Sequence, residues 1–403
     1  MKRVCLALST LLLGVLCLAA CAPTKASAAA PTPSQETLAR GNTAFAEQLY
    51  GHLVEADRNT FFSPYSISSA LAMTYGGARE NTAREMKATL HFQLDPNQLY
   101  PAFKALNATL ADGMAPSGQK LNIANALILT GGDVSPEYKQ ILEENYAAEI
   151  FPGDLGAIND WVKQKTEAKI EKILEELDPN SVCVILNAIY FKGIWERRFD
   201  ESLTREAPFK RSATDTVNVP LMNQKGDFKL LSEEDFQAIV LPYKGQTLSM
   251  VVLLPRQVQG LGDLEARMSA QGLNQWLSAL DGQRPQKVQL YLPRFKLETA
   301  YDLALPLKTM GMRDAFDMMR ADFRGMGWPK GRLYISQAKH KAVVEVNEEG
   351  TEAAAATAVE MATKSMPAPP EVFRADHPFL FLIRHDATGT LLFLGRMANP
   401  GQK

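Results

Sequence analysis

Residues 182–191 are nearly all apolar and rich in β-branched and aromatic side chains, with no alternation of polar positions. A run of this kind fits a strand covered on both faces, so the rest of the chain must supply layers on either side of it. Other strand patterns agree. Residues 236–243 and 248–254 are separated by Lys244-Gly245-Gln246, a hairpin-like connection. Further strands are expected over 287–297 and 333–346, and over 379–384 and 391–396, the last two joined by a turn at Asp386-Ala387-Thr388-Gly389. Helical patterns alternate with these. Leu38, Phe45, Leu49 and Leu53 share one helix face, and Asp95-Pro96 and Ser135-Pro136 each place proline just after an N-cap residue. Ile158, Trp161, Val162 and Ile173 suit another amphipathic helix, and Gly76-Gly77 reads as a helix end. A length of 403 residues sets a prior of two or three domains, but no linker or repeat interrupts the body. One large α+β domain is the expectation. Hydrophobic residues at 46% and charged residues at 22% exclude a disordered chain or a coiled coil. A net charge of −2 gives no support to a nucleic-acid binder that works through basic excess.

The N-terminus departs from this pattern. Lys2 and Arg3 precede an apolar run over 4–20, interrupted only by Ser9, Thr10 and Gly14, which reads as a secretory signal. It ends in Leu18-Ala19-Ala20-Cys21, which resembles a bacterial lipobox whose cysteine is acylated and becomes the mature N-terminus. The alternative is ordinary cleavage after a site such as Ala26-Ser27-Ala28. On the first reading, residues 1–20 are a lipoprotein-type signal peptide, 21–35 a tether and 36–403 the folded body. The protein is then lipid-anchored to the bacterial cell envelope through Cys21; on the second it is soluble outside the cell. Cys5 and Cys17 leave with the signal, and Cys183, inside the apolar strand, reads as a buried small hydrophobe.

Residues 347–370 obey neither pattern. Ala353 to Ala356 favour helix by propensity, yet no apolar stripe accompanies them and the stretch ends in Pro367, Pro369 and Pro370. With a period of two it sorts cleanly. Thr351, Ala353, Ala355, Thr357, Val359 and Met361 share one uncharged parity, and Glu352 and Glu360 fall on the other. A strand with one buried face needs this arrangement. A flexible Ala/Pro-rich surface loop is the competing reading of the same composition.

Glu348-Glu349-Gly350-Thr351-Glu352-Ala353-Ala354-Ala355-Ala356-Thr357 closely resembles the reactive-loop hinge of serpins. Phe61-Phe62-Ser63-Pro64-Tyr65-Ser66-Ile67 is similar to the start of a serpin helix, and Asn187-Ala188-Ile189-Tyr190-Phe191-Lys192-Gly193-Ile194-Trp195 to the family's central strand. Phe373-Arg374-Ala375-Asp376-His377-Pro378-Phe379-Leu380-Phe381 matches the C-terminal signature. The resemblance covers about residues 36–400 and implies the serpin fold: one domain with three β-sheets, eight to nine helices and an exposed reactive-centre loop, about 348–370. It also implies a serine-type endopeptidase inhibitor that acts as a suicide substrate. The target protease forms an acyl-enzyme with the cleaved loop, which then inserts into the main sheet.

Residue by residue, the resemblance places the reactive bond between Lys364 and Ser365, which suits a trypsin-like target. The segment from Ser365 to Pro370 is about two residues longer than in familiar members, so Thr363, Ser365 or Met366 remain open as cleavage sites for elastase-like or cysteine proteases. Glu348, Gly350, Thr351, Ala353, Ala355 and Thr357 form the hinge. Ser63, Ser66, Asn187 and His340 match the polar cluster, or shutter, under the sheet where strands part. Trp195, Arg294 and Glu348 match the breach where the loop first enters. No catalytic residue, cofactor, metal or nucleic-acid partner is implied, and a monomer is expected. The chain holds no G-x-S-x-G elbow, zinc-type histidine spacing or phosphate-cradling loop, so an enzyme is disfavoured. The rival reading is a non-inhibitory serpin-like binding lipoprotein, against which the small, uncharged inward parity of the hinge argues.

Overall fold

The computed structural model describes residues 30–114, 117–130, 132–146, 148–177, 181–268, 270–329, 332–349 and 369–401. The expected signal peptide, Cys21, and the loop positions Gly350, Thr351, Ala353, Ala355, Thr357, Lys364 and Ser365 lie outside them. The described residues form nine α-helices and three sheets of six, four and five strands. The described residues from Pro31 onward make one compact unit. Among the described residues no helix is long and apolar enough to cross a membrane.

The five-stranded sheet runs in the order Phe295–Asp302, Ile335–Val346, Cys183–Lys192, Lys120–Leu129, Glu149–Phe151. Its central strand, Cys183–Lys192, is buried at every position but the last. Ile185, Ile189 and Phe191 enter the main core, while Val184, Leu186, Ala188 and Tyr190 pack into a second cluster with Ile158, Trp161 and Val162. The helix Leu155–Lys165 carries that second layer, which is why the strand needs no polar face. On the core side lies the helix Pro64–Tyr75, buried at all twelve positions. Its small residues Ser66, Ser69, Ala70 and Ala72 let backbone and sheet approach closely, and Ser63 caps its N-terminus.

Three local expectations are corrected. The amphipathic helix ends at Lys165 and does not reach Ile173. Glu167 and Ala168 adopt left-handed backbone, and Thr166 Oγ1 accepts the Ile170 N–H at 3.1 Å, so the chain turns out of the helix. The strand expected over 287–297 is two strands, Gln286–Pro293 in the four-stranded sheet and Phe295–Asp302 in the five-stranded one, with Arg294 at the crossing. An unbroken β pattern cannot show that its two halves serve different sheets. The first helix starts at Pro33, inside the stretch assigned to the tether, because Thr32 and Gln35 form a capping box.

Candidate functional site

Two long neighbours in the five-stranded sheet, Ile335–Val346 and Cys183–Lys192, run parallel, pairing from Ile335 with Cys183 to Val344 with Phe191. Register alone brings polar residues into one row across four strands. Tyr301 opposes His340, His340 opposes Asn187, and Asn187 opposes Asn125. The His340 ring spans the seam, with Nδ1 2.5 Å from Asn187 Oδ1 and Nε2 accepting the Ser63 N–H at 3.1 Å. These partners require the tautomer with its proton on Nδ1. Asn187 Nδ2 donates to Ser66 Oγ and, at 2.6 Å, to Asn125 Oδ1. Asn125 Nδ2 reaches Ser69 Oγ at 3.4 Å, and Ser63 Oγ donates to the Leu392 carbonyl at 2.6 Å. The side chains of Ser63, Ser66, Ser69, Asn125, Asn187 and His340 are all buried, and burial pulls the His340 pKa down to about 3, so the ring is neutral at neutral pH.

Asn125 and Ser69 are members of this cluster that sequence reasoning missed. Asn125 stands between Ala124 and Ala126 in a strand whose last six positions are all buried, a signal that a polar partner must exist.

A second polar group closes the end of the seam where the chain leaves Val346. Trp195 Nε1 donates to the Asn347 carbonyl at 2.9 Å, and the Trp195 ring stacks on Tyr243 with centroids 4.5 Å apart. The N–H groups of Trp195 and Phe199 donate to the carbonyls of Glu349 and Glu348 at 3.2 and 2.9 Å. Glu348 is 2% exposed; its Oε1 accepts from Arg294 Nη2 and, at 2.6 Å, from Thr204 Oγ1. Burial alone would push this carboxyl up, but the Arg294 and Thr204 hydrogen bonds outweigh it and hold it below the usual carboxylate range. Gly193 allows this packing, since a Cβ there would lie 2.3 Å from the Tyr243 ring. Thr204 and Phe199 were not singled out by sequence; nothing in their local pattern marks them. Among the described residues no group of histidine, cysteine or carboxylate side chains is arranged to hold a metal ion.

The family model for serpins, the serine protease inhibitors, matches residues 40–400. The chain belongs to the serpin family. Its relatives include the leukocyte elastase inhibitor of Bos taurus, 41% identical over 91% of this serpin and all of the relative. The human leukocyte elastase inhibitor is 39% identical over 91% of this chain and all of its own. An uncharacterized serpin-like protein of Thermococcus kodakarensis is 38% identical over 94% of this chain and 91% of its own. Among solved structures, uncleaved ovalbumin superposes with a TM-score of 0.78 at 31% identity, covering 90% of this serpin and all of that chain. Maspin does so with a TM-score of 0.82 at 28% identity, over 92% of this serpin and all of that chain. The α+β fold inferred from sequence is thus the fold of the family. The expectation framed only as a negative, that the chain is not an enzyme, is replaced by a positive one. The matched family is defined by inhibition of proteases, so the chain is classed by what it does to an enzyme.

Proposed function

We propose that this serpin is a suicide-substrate inhibitor whose loop, once cut, enters the seam between Ile335–Val346 and Cys183–Lys192. One observation carries the reading: the two seam strands are parallel neighbours, and the chain leaves one of them at Val346 beside the end of the other. A segment that turns back from Glu349 into the seam runs antiparallel to both strands, replacing one parallel ladder by two antiparallel ones, which pair slightly better per residue. The fourteen residues from Thr351 to Lys364 reach at most ~50 Å, more than the ~30 Å of paired seam. The uncharged parity of Thr351, Ala353, Ala355 and Thr357 suits the buried face of such a strand. Ser63, Ser66, Asn187 and His340 act in this reading as the polar latch, and Trp195, Arg294 and Glu348 as the entry point.

Lys364 before the reactive bond points to a trypsin-like target. A second reading, cleavage at Thr363, Ser365 or Met366 by an elastase-like protease, draws support from relatives that are leukocyte elastase inhibitors. Incubation with trypsin and with elastase, followed by denaturing gels and mass spectrometry of the released C-terminal peptide, separates the two. The expected result is a denaturant-stable complex with trypsin and a peptide that begins at Ser365. No stable complex with either enzyme would overturn the inhibitory reading in favour of a binding protein. Thr351→Arg, which puts a charge on the inward parity, is expected to leave cleavage intact and abolish the complex. We further propose that the protein is exported, acylated at Cys21 and held as a monomer at the bacterial envelope. Radiolabelled palmitate should enter the native chain and not the Cys21→Ser variant.

A further inference from the structure

Among the described residues five large apolar side chains are exposed, and three of them, Leu305 at 73%, Met318 at 56% and Met319 at 78%, fall within one short stretch of chain. Contacts tie the three into one region. Leu305 stands on the helix Ala304–Met310, and Lys308, one turn on, places its Nζ 5.3 Å from the centre of the Phe316 ring, two residues before Met318. The methionines occupy the tip of a hydrogen-bonded turn. Asp317 Oδ1 accepts the N–H groups of Met319 and Arg320 at 2.8 and 3.2 Å, and the Asp317 carbonyl accepts those of Arg320 and Ala321 at 3.1 and 2.9 Å. Nothing in these backbone bonds calls for apolar side chains at the tip. Charge around the patch is layered. Asp314 and Asp322 are buried, whereas their partners Arg320 and Arg324 are half-exposed, and the exposed Glu80 is matched by Arg324. Lys308 and Arg313 are exposed and have no ion pair among the described residues. Cations thus form the outermost layer beside the apolar tip.

Position in the fold says what meets this patch. At the start of its helix the Leu303 N–H donates to the Ala338 carbonyl at 2.8 Å. Ala338 is eight residues, about 26 Å of strand, from Val346, beside which the reactive loop leaves, so the patch lies toward the opposite end of the sheet. The helix Ala304–Met310 also packs against the first helix, Pro33–Leu53. That helix is about 30 Å long, and the twelve residues from Cys21 to Pro33 reach at most ~40 Å, so a lipid on Cys21 can lie level with the patch. We infer that Leu305, Met318 and Met319 are the membrane-resting surface of the anchored protein, seated in the headgroup boundary of an anionic bilayer with Lys308 and Arg313 against lipid phosphates. The inference rests on acylation at Cys21. It adds a second attachment to the lipid, one that fixes orientation and turns the reactive loop away from the bilayer toward an approaching protease. The contact belongs to the uncleaved protein, because an inserted loop would carry its acyl-linked protease to this same end and lift the patch away.

Depth-dependent quenching tests it, on the uncleaved, acylated full chain in vesicles of phosphatidylethanolamine and phosphatidylglycerol that carry a shallow lipid-attached quencher. A fluorophore is placed at Thr309→Cys, exposed beside Leu305, or at Glu371→Cys, exposed just beyond the loop; Cys183 is buried and Cys21 is taken by lipid on this reading. Quenching at Thr309 is expected to exceed that at Glu371 at least fivefold. Adding Met318→Glu and Met319→Glu should bring it down to the Glu371 level, whereas Met318→Leu with Met319→Leu should keep it. Palmitate incorporation and melting temperature should stay at the native values in both pairs, which separates the contact from anchoring and folding. If palmitate enters the chain and the two labels are quenched alike, or if the glutamate pair leaves quenching unchanged, the contact is refuted while acylation stands. An unquenched Thr309 label together with cross-linked dimers would assign the patch to a second copy and refute it as well. If no palmitate enters and the protein stays off the vesicles, both readings fall together.

Discussion

The seam of the five-stranded sheet and the six-stranded sheet are both buried strand-to-strand contacts, yet different forces hold them. In the six-stranded sheet every neighbouring pair is antiparallel. Phe61 stacks on Phe393 and Phe381 with centroids 5.1 and 5.8 Å apart, and Gly395 lies so close under the Phe381 ring that a Cβ there would come within 2.3 Å of it. Nothing in that contact can be replaced by an incoming backbone. The seam is parallel and tied at its middle by His340 and Asn187. Backbone bonds lost on parting there can be remade by a third strand. Apolar jigsaw packing makes a sheet permanent, whereas a polar tie across a parallel pair makes it conditional.

Four measurements on the uncleaved protein would sharpen or break this contrast. The largest effect is expected from Phe381→Ala, which removes a fully buried ring touching Phe61 and Phe295 and should cost ~3–5 kcal/mol in urea unfolding. Asn187→Ala should cost about 2–3 kcal/mol, because it leaves the buried His340 Nδ1–H, Ser66 and Asn125 without their partner. If Asn187→Ala destabilised as much as Phe381→Ala, the seam would not be the weaker of the two.

Acidification comes next. His340, with its pKa lowered by burial to about 3 against an ordinary value of 6.5, stays neutral when folded and takes up a proton when the chain opens. Its contribution is complete above pH 6.5 and is lost as pH falls toward 3, amounting to about 2 kcal/mol by pH 5. His385, in the six-stranded sheet, is lowered to about 4 by burial and acts with the same sign. Stability profiles of His340→Gln and His385→Gln should each lose part of the acid dependence, which divides it between the two sheets. Arg294→Ala is the smallest change, about 1 kcal/mol, since Arg294 is half-exposed and Thr204 still holds the Glu348 carboxylate. A thermal melt reads it.

Much of the fold was legible because period and burial coincide. The strand over 182–191 is central because both its faces are apolar, and the strands around Lys244-Gly245-Gln246 pair as a hairpin. Ile173 was misplaced because its apolar character serves the second cluster from a bent, non-helical segment, which periodicity cannot distinguish from one more helical turn. Within the candidate site, Ser63, Ser66, Asn187 and His340 were named through resemblance. Asn125, Ser69 and Thr204 were not, because their partners stand 56 to 144 residues away and only register brings them together.

By itself the sequence determined the class of fold, a mixed chain around one two-faced strand, and the oddity of residues 347–370. Those properties depend on spacing and side-chain type, which are local. Tertiary structure alone decided that Ile335–Val346 and Cys183–Lys192 lie side by side and parallel, that His340 bridges them, and that Glu348 is buried against Arg294 and Thr204. Which strands become neighbours depends on the joint packing of the whole core, and a hydrogen bond between residues 153 apart has no trace in local pattern.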